Sequence, residues 1–105
     1  MISLINIKNT NDYTLYIGRE NSFYNLERSK WANPFLLKED TVENRKIIAE
    51  QYKEYVLNNK DLMSSLHELE NQTLACFCFP KLCHGNVLIQ LYYENRLNNL
   101  LADCV

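Results

Sequence analysis

Residues 76–86 read Cys-Phe-Cys-Phe-Pro-Lys-Leu-Cys-His-Gly-Asn, which places three of the chain's four cysteines beside one of its two histidines. Thiols and an imidazole at this spacing can supply a nucleophile, move a proton or hold a soft metal ion. What they do depends on the elements beneath them. Residues 73–79 are almost wholly apolar, the pattern of a strand covered on both faces, and Pro80 ends the run. Alternation along that strand sets Cys76 and Cys78 on one face and Phe77 and Phe79 on the other. A last helix then begins at Cys83 or His84. Cys83, His84, Gly85 and Asn86 fall in its first turn, where unpaired N–H groups and the positive dipole end favour an anion or a thiolate. Gly85 there lets a ligand come close to the backbone.

Three readings of this segment compete. Cys76 and Cys78 can be small buried hydrophobes, the commonest fate of a core cysteine. Cys76, Cys78, Cys83 and His84 can form a Cys₃His zinc set, although structural zinc sites use C-x₂₋₄-C with a second, distant pair and this spacing is cramped. In the third reading, Cys83 and His84 are the candidate catalytic pair of a pocket that Cys78, Gly85 and Asn86 help to line. This third reading is the favoured one, with no cofactor expected and zinc as the alternative.

A second segment, Ser29-Lys-Trp-Ala-Asn-Pro-Phe35, is preceded by Tyr16-Ile-Gly18-Arg19 at the end of a strand. Arg19 and Lys30 suit phosphate or carboxylate, Arg through a planar bidentate fork. Trp31 or Phe35 can stack a base and Asn33 can read its edge, with Gly18, Ser29 and Pro34 among the contacts. The plainer alternative has Trp31 and Phe35 plugging the loop onto the core while Asn33-Pro34 starts a turn.

The remaining elements follow from periodicity and punctuation. Ile2 and Leu4 mark a short first strand and residues 13–17 a second, rich in aromatic and β-branched side chains and stopped by Gly18. Residues 19–38 keep no period, and a long aromatic-bearing loop in a small domain is more often functional than idle. A helix follows, with Asp40 as N-cap and Glu43 three residues on, and with Val42, Ile47, Ile48, Tyr52, Tyr55 and Val56 facing inward. Asp61 caps a shorter helix through Leu62, Leu66 and Leu69. In the last helix Val87, Leu88, Leu91, Tyr92, Leu97, Leu100 and Leu101 form the apolar stripe. His67 reads as a surface histidine and Cys104 as a frayed free thiol. The order β-β-loop-α-α-β-loop-α predicts an α/β fold: a small three-layer Rossmann-like domain with a short, mostly parallel sheet flanked by helices. One domain spanning residues 1–105 is expected.

Composition narrows the classes. With 105 residues and 47% hydrophobic content, the chain can bury a core. Eleven Lys and Arg against thirteen Asp and Glu give a net charge of −2, which argues against a protein that coats nucleic acid. Two Gly and two Pro are too few for a linker-rich chain. No apolar run spans a membrane and the start shows no secretory leader, so a reducing cytoplasm is the expected setting.

Tyr16-Ile-Gly-Arg19, Ser29-Lys-Trp-Ala-Asn-Pro-Phe35 and Leu74-Ala-Cys-Phe-Cys-Phe-Pro-Lys-Leu-Cys-His-Gly-Asn-Val-Leu88 together resemble domain-of-unknown-function family 4326, a small family of bacterial and phage proteins. The resemblance runs from about residue 13 to residue 91. Ala32, Phe77 and Asn86 stand where that family's pattern has Gly, Trp and Asp; losing the acid after Cys-His-Gly removes a general base at that position. The resemblance implies a phage or bacterial domain and transfers little chemistry.

The residues point to binding of a nucleotide- or nucleoside-derived small molecule at the turn around Cys83-His84, with processing of that molecule as an extension of the same reading. The alternatives are a phage inhibitor that sequesters a host nucleotide signal or blocks a host protein without turnover, and a zinc-stabilised module.

Overall fold

The computed structural model describes residues 1–103; Cys104 lies outside them. Three strands, β1 (Ser3–Asn6), β2 (Leu15–Tyr16) and β3 (Thr73–Cys76), form a wholly parallel sheet in the order β1-β3-β2. Three helices, α1 (Val42–Leu57), α2 (Lys60–Ser65) and α3 (His84–Asp103), accompany it, with a 3₁₀ turn at Leu66–Leu69. The chain is thus a small α/β domain. Its central strand β3 is covered as its apolar sequence predicts: Leu74 and Ala75 are fully buried and Cys76 nearly so.

Both edge effects and side-chain competition shorten the strands relative to the sequence pattern. β3 stops at Cys76 because the Asn6 amide Nδ2 donates to the carbonyls of Phe77 (3.3 Å) and Phe79 (2.9 Å), taking the place of a neighbouring strand. Residues 77–82 therefore form a turn, closed by Lys81 N–H donating to Cys78 O at 2.9 Å. Phe79–Pro80 is a cis peptide. β2 pairs only at Leu15 and Tyr16, although Ile17 N–H still donates to Ala75 O. Beyond it the Tyr16 hydroxyl folds back to donate to Arg19 O, and the chain leaves the sheet.

The helices lie where their apolar periods put them, but their caps differ. Thr41, not Asp40, is the N-cap of α1: its Oγ1 accepts from Asn44 N–H at 3.1 Å. Asp40 instead accepts from Arg45 and Lys81. Asn59, not Asp61, caps α2 through Leu62 N–H. At α3, Asn86 Oδ1 accepts from Cys83 N–H at 3.0 Å, one half of a capping box.

One core joins sheet and helices through Ile17, Trp31, Tyr52, Val56, Leu66, Leu69, Leu74 and Leu88. Several positions of the sequence stripes stay outside it. Val42 (71% exposed) and Ile47 (56%) look to solvent at the start of α1, and Leu97, Leu100 and Leu101 do so where α3 runs past its neighbours. Among the described residues, no helix is long and apolar enough to cross a membrane.

Candidate functional site

The residues that follow the carboxyl ends of β2 and β3 open onto a cavity of about 250 Å³. Gly18 and Arg19 come from the first, Phe77 and Cys78 from the second, Cys83 and His84 from the start of α3, and Arg45 from the first turns of α1. Each wall is aimed by a local device. Arg19 donates from Nε and Nη2 to Asn33 O (2.9 and 2.7 Å) and from Nη2 to Phe35 O (2.7 Å), which folds the 19–38 loop over the opening. The Asn33 side chain in turn accepts from Phe35 N–H at 2.9 Å, an Asx turn that presents those carbonyls to Arg19. Among the described residues Arg19 makes no ion pair, and its two Nη1 N–H groups take no partner.

Three thiols share one wall. Cys83 Sγ lies 3.6 Å from Cys76 Sγ, and Cys78 lines the same cavity. Either sulfur of the Cys76–Cys83 contact can donate; its two thiol neighbours, together with burial, push the Cys83 pKa up. Cys83 draws Cys78 down to about 6, against the cost of burial and with further help from the Arg45 guanidinium. Cys76 is drawn down to about 7, first by Cys83 and then by the N–H groups of Cys78 and Phe79. Negative charge on Cys78 opposes ionisation of Cys76. Of these two thiols, Cys78 is the one that Arg45, which lines the same cavity, also draws down. Arg45 is itself anchored, donating from Nε to Asp40 and from Nη1 to Leu82 O at 3.0 Å. Lys81 also reaches Asp40, so α1 is tied to the 77–82 turn at the cavity mouth.

His84 is a buried wall of the site rather than an exposed base. A carbonyl only accepts, so the 2.7 Å contact of Nε2 with Ile17 O puts the proton on Nε2 and leaves Nδ1 as the acceptor. Burial lowers its pKa, with the Arg19 charge adding to the effect, and the ring stays neutral at pH 7. Tyr52 packs edge-on against it, with ring centroids 5.1 Å apart. Aromatic side chains complete the enclosure: Tyr16 meets Phe77 edge-to-face, and Phe77 meets Tyr24, which leads to an exposed Phe23.

Of the residues singled out in the sequence, Gly18, Arg19, Asn33, Phe35, Cys76, Cys78, Cys83 and His84 line this cavity. Ser29, Lys30, Trp31, Pro34, Gly85 and Asn86 do not. Trp31 is 1% exposed and belongs to the core, where its carbonyl accepts from the Tyr52 hydroxyl at 2.6 Å. Ser29 shapes the loop by accepting from Trp31 N–H. Lys30 points away to an exposed ion pair with Glu68. Gly85 is required by close packing: a Cβ there would come within 2.7 Å of Leu4 Cδ1 and 3.1 Å of Ile17 Cδ1. It therefore brings α3 against the sheet and offers no backbone to a ligand. The cavity also has walls that the sequence did not announce, notably Tyr16, Glu20 and Arg45. Tyr16 stood inside a quoted motif, whereas Arg45 carried no signal beyond being one charged residue of an amphipathic helix.

Among the described residues, no group of three or more His, Cys, Asp or Glu is arranged to hold a metal ion. The Cys76, Cys78, Cys83 and His84 arrangement weighed for zinc is not among such groups.

The chain matches the family described as a domain of unknown function (DUF4326) over residues 5–94, a span that contains every wall of the cavity. The chain belongs to DUF4326. It is also 39% identical over 104 aligned positions to the uncharacterized protein R718 of Acanthamoeba polyphaga mimivirus, the match covering 85% of this chain and 78% of that protein. This DUF4326 member thus has a viral relative. No solved structure matches it.

Proposed function

We propose that this DUF4326 domain binds a nucleoside- or mononucleotide-sized molecule in the cavity at the carboxyl edge of its sheet. The observation that carries the reading is Arg19: a guanidinium lining an aromatic-walled pocket, without a carboxylate partner among the described residues and with Nη1 free to donate. A carboxylate- or phosphate-bearing ligand would supply the missing negative charge. Tyr16, Phe35 and Phe77 offer faces for a planar ring, and Glu20 offers an acceptor for sugar hydroxyls. Open parallel sheets hold ligands at this edge, and a Rossmann-like use of it is part of the reading. The volume of about 250 Å³ lies just under the ~300–1,000 Å³ usual for drug-sized ligands, which favours a mononucleotide over a dinucleotide.

Cys83 and His84 remain the candidate catalytic pair of this reading, and Cys78, whose thiol is drawn down to about 6 first by Cys83 and then by Arg45, joins them as a candidate nucleophile. Binding without turnover, as in sequestration of a host nucleotide signal, would use the same walls.

Isothermal titration of the folded protein against nucleosides and their monophosphates tests the reading. Monophosphates should bind more tightly than the parent nucleosides, and Arg19→Lys, which loses the planar fork, should weaken the monophosphates selectively. Absence of binding across the panel would overturn it. Mass spectrometry of the ligand after incubation separates processing from simple binding.

A further inference from the structure

The thiol wall has a chemistry of its own. Cys78 is half-buried, so small solutes reach it; Cys76 and Cys83 are buried, and all three line the one cavity. Cys83 lies 3.6 Å from Cys76, sulfur to sulfur. Cys78 and Cys83 flank the turn that Lys81 N–H closes on Cys78 O, and the turn returns both to the same cavity. Arg45 lines that cavity too and is held by Asp40 and Leu82 O, so its charge is supplied by a fixed group. An accessible sulfur, a fixed cation and a second thiol on one cavity wall are the parts that reversible thiol oxidation requires.

We propose that Cys78 and Cys83 form a hydroperoxide-reactive pair, in which Cys78 is oxidised and Cys83 resolves it to a disulfide. In the first step the Cys78 thiolate attacks the terminal oxygen of a hydroperoxide. The S–O bond forms, the O–O bond breaks, and the alkoxide or hydroxide leaves and takes a proton from water. Cys78 is then a sulfenic acid. In the second step the Cys83 sulfur attacks the Cys78 sulfur: the S–S bond forms, the S–O bond breaks, and the departing hydroxide takes the Cys83 proton to leave as water. One hydroperoxide is reduced to an alcohol or water while two thiols are oxidised. Cys76, in contact with Cys83, can then exchange into the bridge.

This chemistry is independent of nucleotide binding. A failed titration against nucleotides leaves it standing, and a failed thiol reaction leaves the titration unaffected. The test uses the full chain with Cys104→Ser, so that the fourth thiol does not contribute, and hydrogen peroxide as the probe. Intact-mass spectrometry should show loss of two hydrogens, with a Cys78–Cys83 bridge in the peptide map. Adding Cys83→Ser should instead trap a dimedone adduct on Cys78, and Cys78→Ser should abolish both products. Arg45→Ala should move the pH profile of Cys78 alkylation upward, toward that of an ordinary thiol, and slow the reaction at neutral pH by about threefold to tenfold. Folded protein that keeps its thiols under peroxide, a dimedone adduct elsewhere than Cys78, or an alkylation profile unmoved by Arg45→Ala would each overturn the assignment.

Discussion

The Ser29–Phe35 segment and the Cys76–Cys83 turn look alike as sequences, each mixing aromatic, polar and proline residues, yet the fold uses them in opposite ways. The first is turned inward except at Asn33 and Phe35, which line the cavity. Its tryptophan fills the core, its serine and asparagine spend their side chains on the loop's own backbone, and its lysine leaves for the surface. The second peels away from the sheet just where the ladder ends and turns its sulfurs toward a cavity. Polar groups satisfied locally build a scaffold, whereas those left partly unsatisfied at a concave surface are available for chemistry. Arg19 bridges the two regions: two of its nitrogens hold the scaffold loop and the third remains for the cavity.

Mutations should separate these roles, and the largest effect is expected in the scaffold. Trp31→Ala should cost about 3–5 kcal/mol in chemical denaturation, the range for deleting a large buried aromatic. Trp31→Phe should cost much less, because the buried Nε1 has no hydrogen-bond partner among the described residues and its removal offsets part of the lost contact. A mild Trp31→Ala phenotype with lost ligand binding would reverse the comparison. Gly85→Ala should cost about 1–3 kcal/mol by forcing α3 away from Leu4 and Ile17.

Acid should act next, through His84. Its folded-state pKa is depressed by burial, so the unfolded chain takes the proton first as pH falls. Stability should therefore decline below about pH 6.5, the unperturbed imidazole value, and His84→Gln should flatten that decline. Asp40 and Glu68, whose pKa values are lowered by Arg45 and Lys30 respectively, lose their pairing only in the more acidic carboxylate range, so the two phases are separable. An unchanged pH profile in His84→Gln would remove His84 from the account.

The smallest effect belongs to Lys30. Its ion pair with Glu68 is about half exposed at both ends, so Lys30→Ala should change stability by no more than about 0.5 kcal/mol. It should also leave ligand titration as in the wild type. A measurable loss of binding in Lys30→Ala would draw the Ser29–Phe35 segment back toward the site.

The sequence was most legible where one local property decides the outcome. The apolar run before Cys76 became the covered central strand, and Leu62, Leu66 and Leu69 turned inward as their spacing required. Val87, Leu88 and Leu91 did the same on α3. It was less legible where equivalent residues compete. Asp40 and Thr41 can both cap a helix, and the choice fell to Thr41 because Arg45 and Lys81 draw Asp40 away. Apolar periodicity also overran the core: Val42, Ile47 and Leu97 keep the helical spacing, but the body they would pack against ends before reaching them.

Periodicity and motif spacing by themselves determined the α/β class and the placing of Cys76, Cys78, Cys83 and His84 at the junction of a strand and a helix, and the resemblance of the quoted motifs gave the family. These follow from short-range physics, in which burial and backbone preference act within a few residues. Which thiol is drawn down furthest depends instead on Cys83 across the turn and on Arg45, thirty-three positions before Cys78. Which aromatic is core and which lines the cavity depends on how the 19–38 loop is pinned by Arg19. Charge and burial are set by neighbours in space, so only the tertiary structure could divide the motif residues into scaffold and site.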